Sequence, residues 1–151
     1  MSAVAIEATR FVDAQPAKVW AVVGDPNGYH RYVADLAVTQ VVDGEGLGMR
    51  RQCSNDAGQA WEEDCTLWEP GHRYRFSVDV STYPRSLRAM FSAFQGTWTV
   101  EPEGAGSRIR LLFEGETRLG IVGKGLVSAM ARNAGLEEIL DAYEAEVLGS
   151  D

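Results

Sequence analysis

The sequence predicts an α+β fold in which seven antiparallel strands form one sheet and a long C-terminal helix covers its apolar face. Residues 36–117 consist of short β-rich segments joined by turn-rich stretches, a pattern that favours antiparallel neighbours. After them, apolar residues recur three or four positions apart, as on one face of an amphipathic helix. A chain of 151 residues is long enough to bury a sizeable core, so we expect residues 1–151 to form one domain.

The N-terminal elements are a strand and two short helices. Val4–Val12 is rich in β-forming residues and is predicted to be the first strand. A helix follows from Pro16, because proline suits the first helical position, and the stretch Gly24–Gly28 ends it. A second short helix is expected around Asn27–Val33. It carries three side chains of interest, Tyr29, His30 and Tyr32.

Six more strands and one helix complete the prediction. The strands span residues 36–42, 47–54, 59–68, 72–82, 90–100 and 107–117. Because side chains in a strand point alternately to opposite faces, the register of one hairpin fixes the inward set. The apolar face of the last helix comprises Val122, Leu126, Ala129, Met130, Asn133, Leu136, Leu140, Tyr143 and Val147.

The hairpin of strands 47–54 and 59–68 defines the inward face. The register with the better apolar face pairs Leu47 with Leu67, Met49 with Cys65, Arg51 with Glu63 and Cys53 with Trp61. The two cysteines are then not opposite one another, so no disulfide is expected. The register also places two charged residues, Arg51 and Glu63, opposite each other on the inward face.

The other hairpins extend this face. Strands 59–68 and 72–82 are predicted to pair Glu63 with Val78, Cys65 with Phe76, Leu67 with Tyr74 and Trp61 with Val80. Strands 90–100 and 107–117 are predicted to pair Phe94 with Phe113, Gly96 with Leu111, Trp98 with Ile109 and Val100 with Ser107. The intervening residues of the strand 90–100 are mostly polar, as expected for an outer face.

Composition excludes several classes of function. The chain carries 14 Lys and Arg against 22 Asp and Glu, a net charge of −8 without a basic run, which argues against binding nucleic-acid phosphates. The longest uncharged run, Ala89–Val100, is too short to span a bilayer. The N-terminus lacks a basic, apolar leader. We therefore expect a reduced, cytoplasmic protein that is a monomer or homodimer and does not insert into membranes.

Several segments together identify a family. The opening Asp13–Trp20 followed by Gly24-Asp25-Pro26, then Gly46–Arg50, Gly96–Pro102 and Gly106–Ile109, resemble the START/Bet v1-like (SRPBCC) superfamily, and within it the bacterial polyketide cyclase/dehydrase and lipid-transport group. The resemblance spans essentially the whole chain. It implies a helix-grip fold, in which a curved sheet wraps around the last helix and encloses a cavity for apolar molecules. The matching segments mark turns and core positions, so they are less specific for activity than for fold.

The resemblance gives the inward residues two interpretations each. Arg51 and Glu63 either project into water from the outer face, if the register is wrong, or form a buried pair on the cavity wall. In the second case Glu63 can act as a general acid or base, Arg51 can bind a carboxylate or polarise a carbonyl, and the Tyr74 hydroxyl can orient a ligand. The remaining set is either plain core or the ligand-binding lining of the cavity: Tyr32, Met49, Trp61, Phe76, Phe94, Trp98, Leu111, Phe113, Met130 and Asn133.

No other catalytic pattern is found. The two histidines, His30 and His72, are separated and have no clustered carboxylate or thiolate, so they do not suggest a zinc site. His72 follows a Pro-Gly turn and is expected in solvent, whereas His30 is a weak acid/base candidate near the cavity mouth. The glycines match neither a P-loop nor a dinucleotide fingerprint. We therefore expect no metal and no cofactor.

Three functional hypotheses follow. The first is a protein that encloses an aromatic polyketide or lipid-like metabolite and catalyses cofactor-free cyclisation or dehydration with Arg51, Glu63 and Tyr74. The second is a non-catalytic carrier or sensor of lipids or quinones that uses the same pocket. The third is a protein-interaction module of the ribosome-associated or quinone-chaperone type.

Overall fold

The predicted seven-stranded sheet is present. A computed structural model describes residues 2–120, 125 and 135–149 of the chain. Its strands form one antiparallel sheet in the order β1-β7-β6-β5-β4-β3-β2, so β1 and β2 are the edge strands. The strands are β1 (Ser2–Val12), β2 (Leu36–Asp43), β3 (Arg50–Asn55), β4 (Ala60–Glu69), β5 (Arg73–Val78), β6 (Phe91–Glu103) and β7 (Gly106–Thr117).

Two short helices connect β1 to β2, as predicted. The first, α1 (Pro16–Val23), begins at its proline and buries Val19 and Val23 in the core. The second is one turn of 3₁₀ helix, Tyr29–Tyr32. The Asn27 side chain between them accepts a hydrogen bond from the backbone N–H of Val41 at 2.8 Å. This bond fixes the connection to β2.

The C-terminal helix α3 (Leu136–Gly149) packs its apolar face into the core. Its buried residues are Ile139, Leu140, Tyr143 and Val147. The other residues assigned to this face from the sequence, Val122, Leu126, Ala129, Met130 and Asn133, lie outside the described residues. Within the described part of the chain, no helix is long and apolar enough to cross a membrane.

A cluster of charges fixes the direction of α3 on the sheet. Arg10 of β1 contacts Glu137 at 2.9 Å, Asp141 at 2.9 Å and Glu144 at 3.0 Å. These carboxylates are spaced four and three residues apart, so they lie on one side of the helix. The hydrogen bond with Asp141 outweighs partial burial and raises the pKa of Arg10.

The first predicted register is confirmed and fixes the inward face. β3 and β4 pair Arg51 with Glu63 and Cys53 with Trp61, and just before β3 the Cys65 N–H donates to the carbonyl oxygen of Met49 at 2.9 Å. The predicted pair Leu47–Leu67 is wrong, because β3 begins only at residue 50 after Gly46 and Gly48 adopt positive φ. Leu47 is therefore exposed. Both cysteines are free, as predicted.

The two other registers needed correction. β4 and β5 pair Glu63 with Val78 and Cys65 with Phe76 as predicted, but a bulge follows and sets Trp68, not Leu67, opposite Tyr74. β6 and β7 extend almost to their turn, and every predicted pair there is displaced by two residues: Gly96 pairs with Phe113, Trp98 with Leu111 and Val100 with Ile109. A two-residue displacement preserves the alternation, so the inward set is unchanged.

The segment after β5 differs most from the prediction. The strand expected to reach residue 82 ends at Val78, so the predicted pair Trp61–Val80 does not form. The Asp79 side chain accepts from the Ser81 N–H at 3.2 Å and caps a 3₁₀ turn, Val80–Thr82. A short helix that was not predicted, α2 (Arg85–Met90), then leads into β6.

Candidate ligand cavity

A cavity of about 260 Å³ lies between the inner face of the sheet, the 3₁₀ helix Tyr29–Tyr32 and the start of α3. Strands β3 to β7 supply most of its wall. The wall includes seven residues that the sequence predicts as site residues: Arg51, Trp61, Glu63, Phe76, Phe94, Trp98 and Phe113. Five of these are aromatic, and Arg51 and Glu63 are the only charged residues among the described residues of the wall.

That pair is Arg51 and Glu63. Glu63 Oε1 accepts from Arg51 Nη2 at 2.6 Å and from Arg51 Nε at 3.2 Å. The Arg51 side chain is 1 % exposed and the Glu63 side chain 13 %. The interpretation that both residues project into water from the outer face is therefore wrong, and the pair lies on the cavity wall.

The Arg51 guanidinium has an apolar and aromatic surrounding. Its Cζ lies 3.8 Å from the ring centroid of Phe76, a cation–π geometry, and Nη1 donates to the carbonyl oxygen of Pro26 at 3.3 Å. Burial is the largest single influence and disfavours the charged form, but the charge of Glu63, together with smaller contributions from Cys53, Tyr74 and the hydrogen bond to Glu63, outweighs it and raises the pKa of Arg51. Arg51 therefore stays protonated in the cavity wall.

Arg51 retains hydrogen-bonding capacity. A guanidinium has five N–H groups, and three of them make the bonds to Glu63 and Pro26. The other two donate to no oxygen of the residues that the structure describes. A ligand oxygen in the cavity can accept these bonds.

Glu63 is held by two neighbours. Its second oxygen, Oε2, accepts from the Trp61 indole Nε1 at 3.1 Å, and the Trp61 ring lies edge-on to that of Tyr83, with centroids 5.7 Å apart. Three N–H groups thus occupy three of about four acceptor sites on the carboxylate. Cys53 also lines the cavity beside this pair. Burial and the charge of Glu63 raise the pKa of the Cys53 thiol, so this thiol is neutral and a weak hydrogen-bond donor.

The aromatic walls meet at defined angles. Trp98 lies edge-on to Tyr29, with centroids 5.0 Å apart, and edge-on to Phe113 at 5.6 Å. Phe94 and Phe113 are nearly parallel, with an interplanar angle of 15° and centroids 6.2 Å apart. These flat and edge surfaces suit contact with a planar apolar ligand.

Tyr74 does not reach the cavity. Its side chain is fully buried under α1, and its hydroxyl donates to the carbonyl oxygen of Val23 at 2.8 Å. The ring stacks on Trp98, with centroids 4.9 Å apart. The expectation that this hydroxyl orients a ligand is therefore not supported by its position, because the hydroxyl already satisfies the end of a helix.

Three other predicted lining residues also lie elsewhere. Tyr32 packs against Tyr143, with ring centroids 4.6 Å apart, while Met49 and Leu111 are buried in the core and do not border the cavity. Met49 and Leu111 are buried as predicted, but they belong to the packed core and not to the cavity wall. The predicted contacts Met130 and Asn133 lie outside the described residues.

The structure adds lining residues that the sequence analysis did not assign to the ligand-binding set. Tyr29 and Tyr83 are the polar ones, and burial raises the pKa of both hydroxyls. Tyr29 and Val33 are four residues apart, a spacing that places two residues on the same side of a helix and could have grouped them. Tyr83 follows an unpredicted turn, and no pattern indicated its direction. The remaining additions are Ile6, Val33, Leu36, Cys53, Val78, Gly96, Leu136 and Ile139.

The histidines lie outside the cavity wall. The Nδ1 atom of His30 is 2.8 Å from the Thr39 hydroxyl and accepts from the Thr39 N–H at 3.3 Å, which ties the 3₁₀ helix to β2. His72 is partly exposed, and its Nδ1 lies 3.1 Å from the carbonyl oxygen of Val100. Their contacts indicate structural roles.

Comparison with known proteins supports this description. A family profile described as polyketide cyclase/dehydrase and lipid transport matches residues 3–146. No curated protein sequence matches the chain. Protein TTHA0849 from Thermus thermophilus is similar in structure, with 26 % identity, a TM-score of 0.70, and coverage of 97 % of this chain and 98 % of that one.

Two further structures share the fold. Truncated norcoclaurine synthase from Thalictrum flavum has 17 % identity and a TM-score of 0.74, covering 99 % of this chain and 96 % of that one. The di-domain aromatase/cyclase BexL of the BE-7585A biosynthetic pathway has 23 % identity and a TM-score of 0.71. Its match covers 95 % of this chain and 46 % of BexL. At these identities the two structures establish the Bet v1-like helix-grip fold and nothing finer.

Proposed function

The chain belongs to the polyketide cyclase/dehydrase and lipid transport family, and from that premise we propose that its cavity binds an apolar molecule that carries a carbonyl oxygen, such as an aromatic polyketide or a lipid-like metabolite. The observation that carries the proposal is one ion pair among lining residues that are otherwise uncharged and mostly apolar in the described part of the chain. A buried pair costs desolvation free energy, which ligand contacts can offset.

The charge balance favours a neutral ligand. Arg51 and Glu63 together carry no net charge, so an anionic ligand would add an uncompensated charge to a largely apolar site. A carbonyl oxygen can instead accept from the two remaining N–H groups of Arg51 without changing the balance. We therefore assign Arg51 the role of carbonyl donor.

The same geometry supports proton abstraction next to that carbonyl. Arg51 polarises the C=O bond, and Glu63 takes a proton from the adjacent carbon. The electron pair of the C–H bond forms the enolate, whose oxygen charge Arg51 stabilises. The enolate carbon attacks a second carbonyl of the same molecule: the ring C–C bond forms, the C=O π bond breaks, and its oxygen takes the proton back from Glu63. Glu63 then removes a second hydrogen from the attacking carbon and passes it to the leaving hydroxyl, so water departs and a C=C bond forms without a cofactor.

Deuterium exchange of 1-tetralone tests this function. This two-ring ketone has exchangeable hydrogens next to its carbonyl, and the wild-type protein in D₂O should accelerate their exchange, measured by NMR. Glu63→Gln should abolish the acceleration while retaining binding of 1-tetralone by calorimetry. Glu62→Gln is the matched control, because Glu62 lies on the outer face and binds Arg50 at 2.6 Å; it should exchange at the wild-type rate.

One observation favours a carrier as the second candidate. Glu63 already accepts three hydrogen bonds, which lowers its capacity to take a proton. A carrier would bind 1-tetralone with the same dependence on Arg51 but would not accelerate exchange. Exchange at an equal rate in wild type and Glu63→Gln would remove Glu63 as the base.

A further inference from the structure

Glycine and phenylalanine face each other twice across β6 and β7. Gly96 is opposite Phe113, and Phe94 is opposite Gly115. Each ring therefore lies beside a position without a side chain, and the two rings stack nearly parallel. Three of these four residues, Phe94, Gly96 and Phe113, line the cavity.

The Phe113 ring occupies the space that a side chain at position 96 would need. A Cβ atom on Gly96 would lie 2.6 Å from Cε1 and 2.8 Å from Cδ1 of Phe113, and 2.9 Å from Cη2 of Trp98. No real Cβ atom tolerates these distances, so the ring would have to move. Phe94 and Trp98 contact this ring on two sides and the ring borders the cavity, so among the described residues the cavity offers it room to move. The absence of a side chain at Gly96 thus keeps the Phe113 ring out of the cavity.

The cavity volume sets the scale of the ligand. A cavity of about 150 Å³ accepts benzene, with its six ring carbons. In proportion, a cavity of about 260 Å³ accommodates about ten ring carbons, which is two fused rings. This volume is also below the range of about 300–1,000 Å³ typical for larger ligands.

We propose that Gly96 is a specificity-determining residue: through Phe113 it sets the upper size of the ligand at two fused rings. The proposal rests on the ligand-binding function proposed above. It assigns the size limit to one contact between β6 and β7 and assigns carbonyl recognition to Arg51 on β3. The two determinants lie on different strands and can be changed separately.

A series of ketones tests the size limit by calorimetry. The probes are acetophenone with one ring, 1-tetralone with two and 1-oxotetrahydrophenanthrene with three. Wild type should bind the first two and bind the three-ring ketone at least about tenfold more weakly than 1-tetralone. Gly96→Ala should weaken 1-tetralone about tenfold and leave acetophenone within about twofold. Phe113→Leu should instead strengthen binding of the three-ring ketone.

Two controls separate size selection from loss of folding. Gly115→Ala is also crowded, though less than Gly96→Ala, because its Cβ would lie 3.0 Å from the Ala93 carbonyl oxygen and 3.1 Å from Cδ2 of Phe94, but Gly115 does not line this cavity. It should retain the wild-type ranking of probes.

If Gly96→Ala does not fold, the Phe113→Leu result alone decides whether the size limit holds. Binding of the three-ring ketone by wild type as tightly as 1-tetralone, or an unchanged ranking in Phe113→Leu, would overturn the size limit only. Failure of wild type to bind any of the three would overturn the proposed function as well.

Discussion

Arg50 and Arg51 are neighbours in the sequence, but they lie on opposite faces of β3. Arg50 is on the outer face, where Glu62, Asp64 and Asp79 surround it at 2.6–3.1 Å. Arg51 is on the inner face with Glu63 as its single carboxylate partner among the described residues. Hydrogen bonds to Asp79 and the other carboxylates raise the pKa of Arg50, whereas the charge of Glu63 raises that of Arg51 against burial. The number of ion pairs that an arginine makes therefore does not indicate their contribution to the free energy of unfolding, because water screens the outer cluster and not the inner pair.

The largest expected effect follows from removing one member of the inner pair. Arg51→Met leaves the Glu63 carboxylate buried without its cation, which should lower the free energy of unfolding by about 3–5 kcal/mol. The double variant Arg51→Met/Glu63→Leu should recover most of that loss, since it leaves no buried charge. Urea unfolding at neutral pH measures both. Equal stability of Arg51→Met and wild type would show that the pair is not buried.

A smaller effect is expected from the indole that holds Glu63. Trp61→Phe keeps an aromatic ring against Tyr83 but removes the N–H bond to Glu63 Oε2. A hydrogen bond to a charged group contributes about 1.5–3 kcal/mol, so the free energy of unfolding should fall by about that amount. Trp20→Phe, in the helix α1, is a control for loss of a partly buried indole away from the cavity. If Trp61→Phe lowers the free energy of unfolding no more than Trp20→Phe does, the hydrogen bond from Trp61 to Glu63 contributes no stability.

The smallest effect is expected on the outer face. Arg50→Met should change stability much less than Arg51→Met, because its partners are solvated. The expected signature is in pH dependence: Arg50 lowers the pKa of Asp79 in the folded protein. A lowered pKa stabilises the fold above the unfolded-state value of about 4, and this stabilisation is lost as pH falls through the folded-state value. Stability measured between neutral and acidic pH should therefore fall less steeply in Asp79→Asn; an unchanged slope would contradict this.

The sequence could predict the inner pair because strand alternation is local. Arg51 and Glu63 face inward whenever their hairpin register has the right parity, and the predicted register of β3 and β4 was correct. Between β6 and β7 the register was displaced by two residues, which also left the inward set unchanged. The position of Tyr74 along the sheet could not be predicted in the same way. Its hydroxyl partner, the carbonyl oxygen of Val23, is 51 residues away in the sequence, and no local pattern encodes such a contact. The end of β5 was missed because the Asp79 cap competes with strand extension through short polar contacts.

The size of the cavity was equally beyond sequence reasoning. Alternation indicated that Phe94, Gly96 and Phe113 point inward, but the direction of a ring depends on the residue directly opposite it. The observed register sets Phe113 beside Gly96 instead of Phe94, and this pairing gives the ring its place at the cavity edge.

The most direct test of the central claim compares 1-tetralone with tetralin, which has the same rings and no carbonyl. If Arg51 recognises a carbonyl in the cavity, wild type should bind 1-tetralone at least about tenfold more tightly in calorimetry, because a hydrogen bond to a charged donor contributes about 1.5–3 kcal/mol. The Arg51→Met/Glu63→Leu variant should bind the two molecules equally. Equal affinities in wild type, or a preference for the ketone that persists in the double variant, would contradict the account.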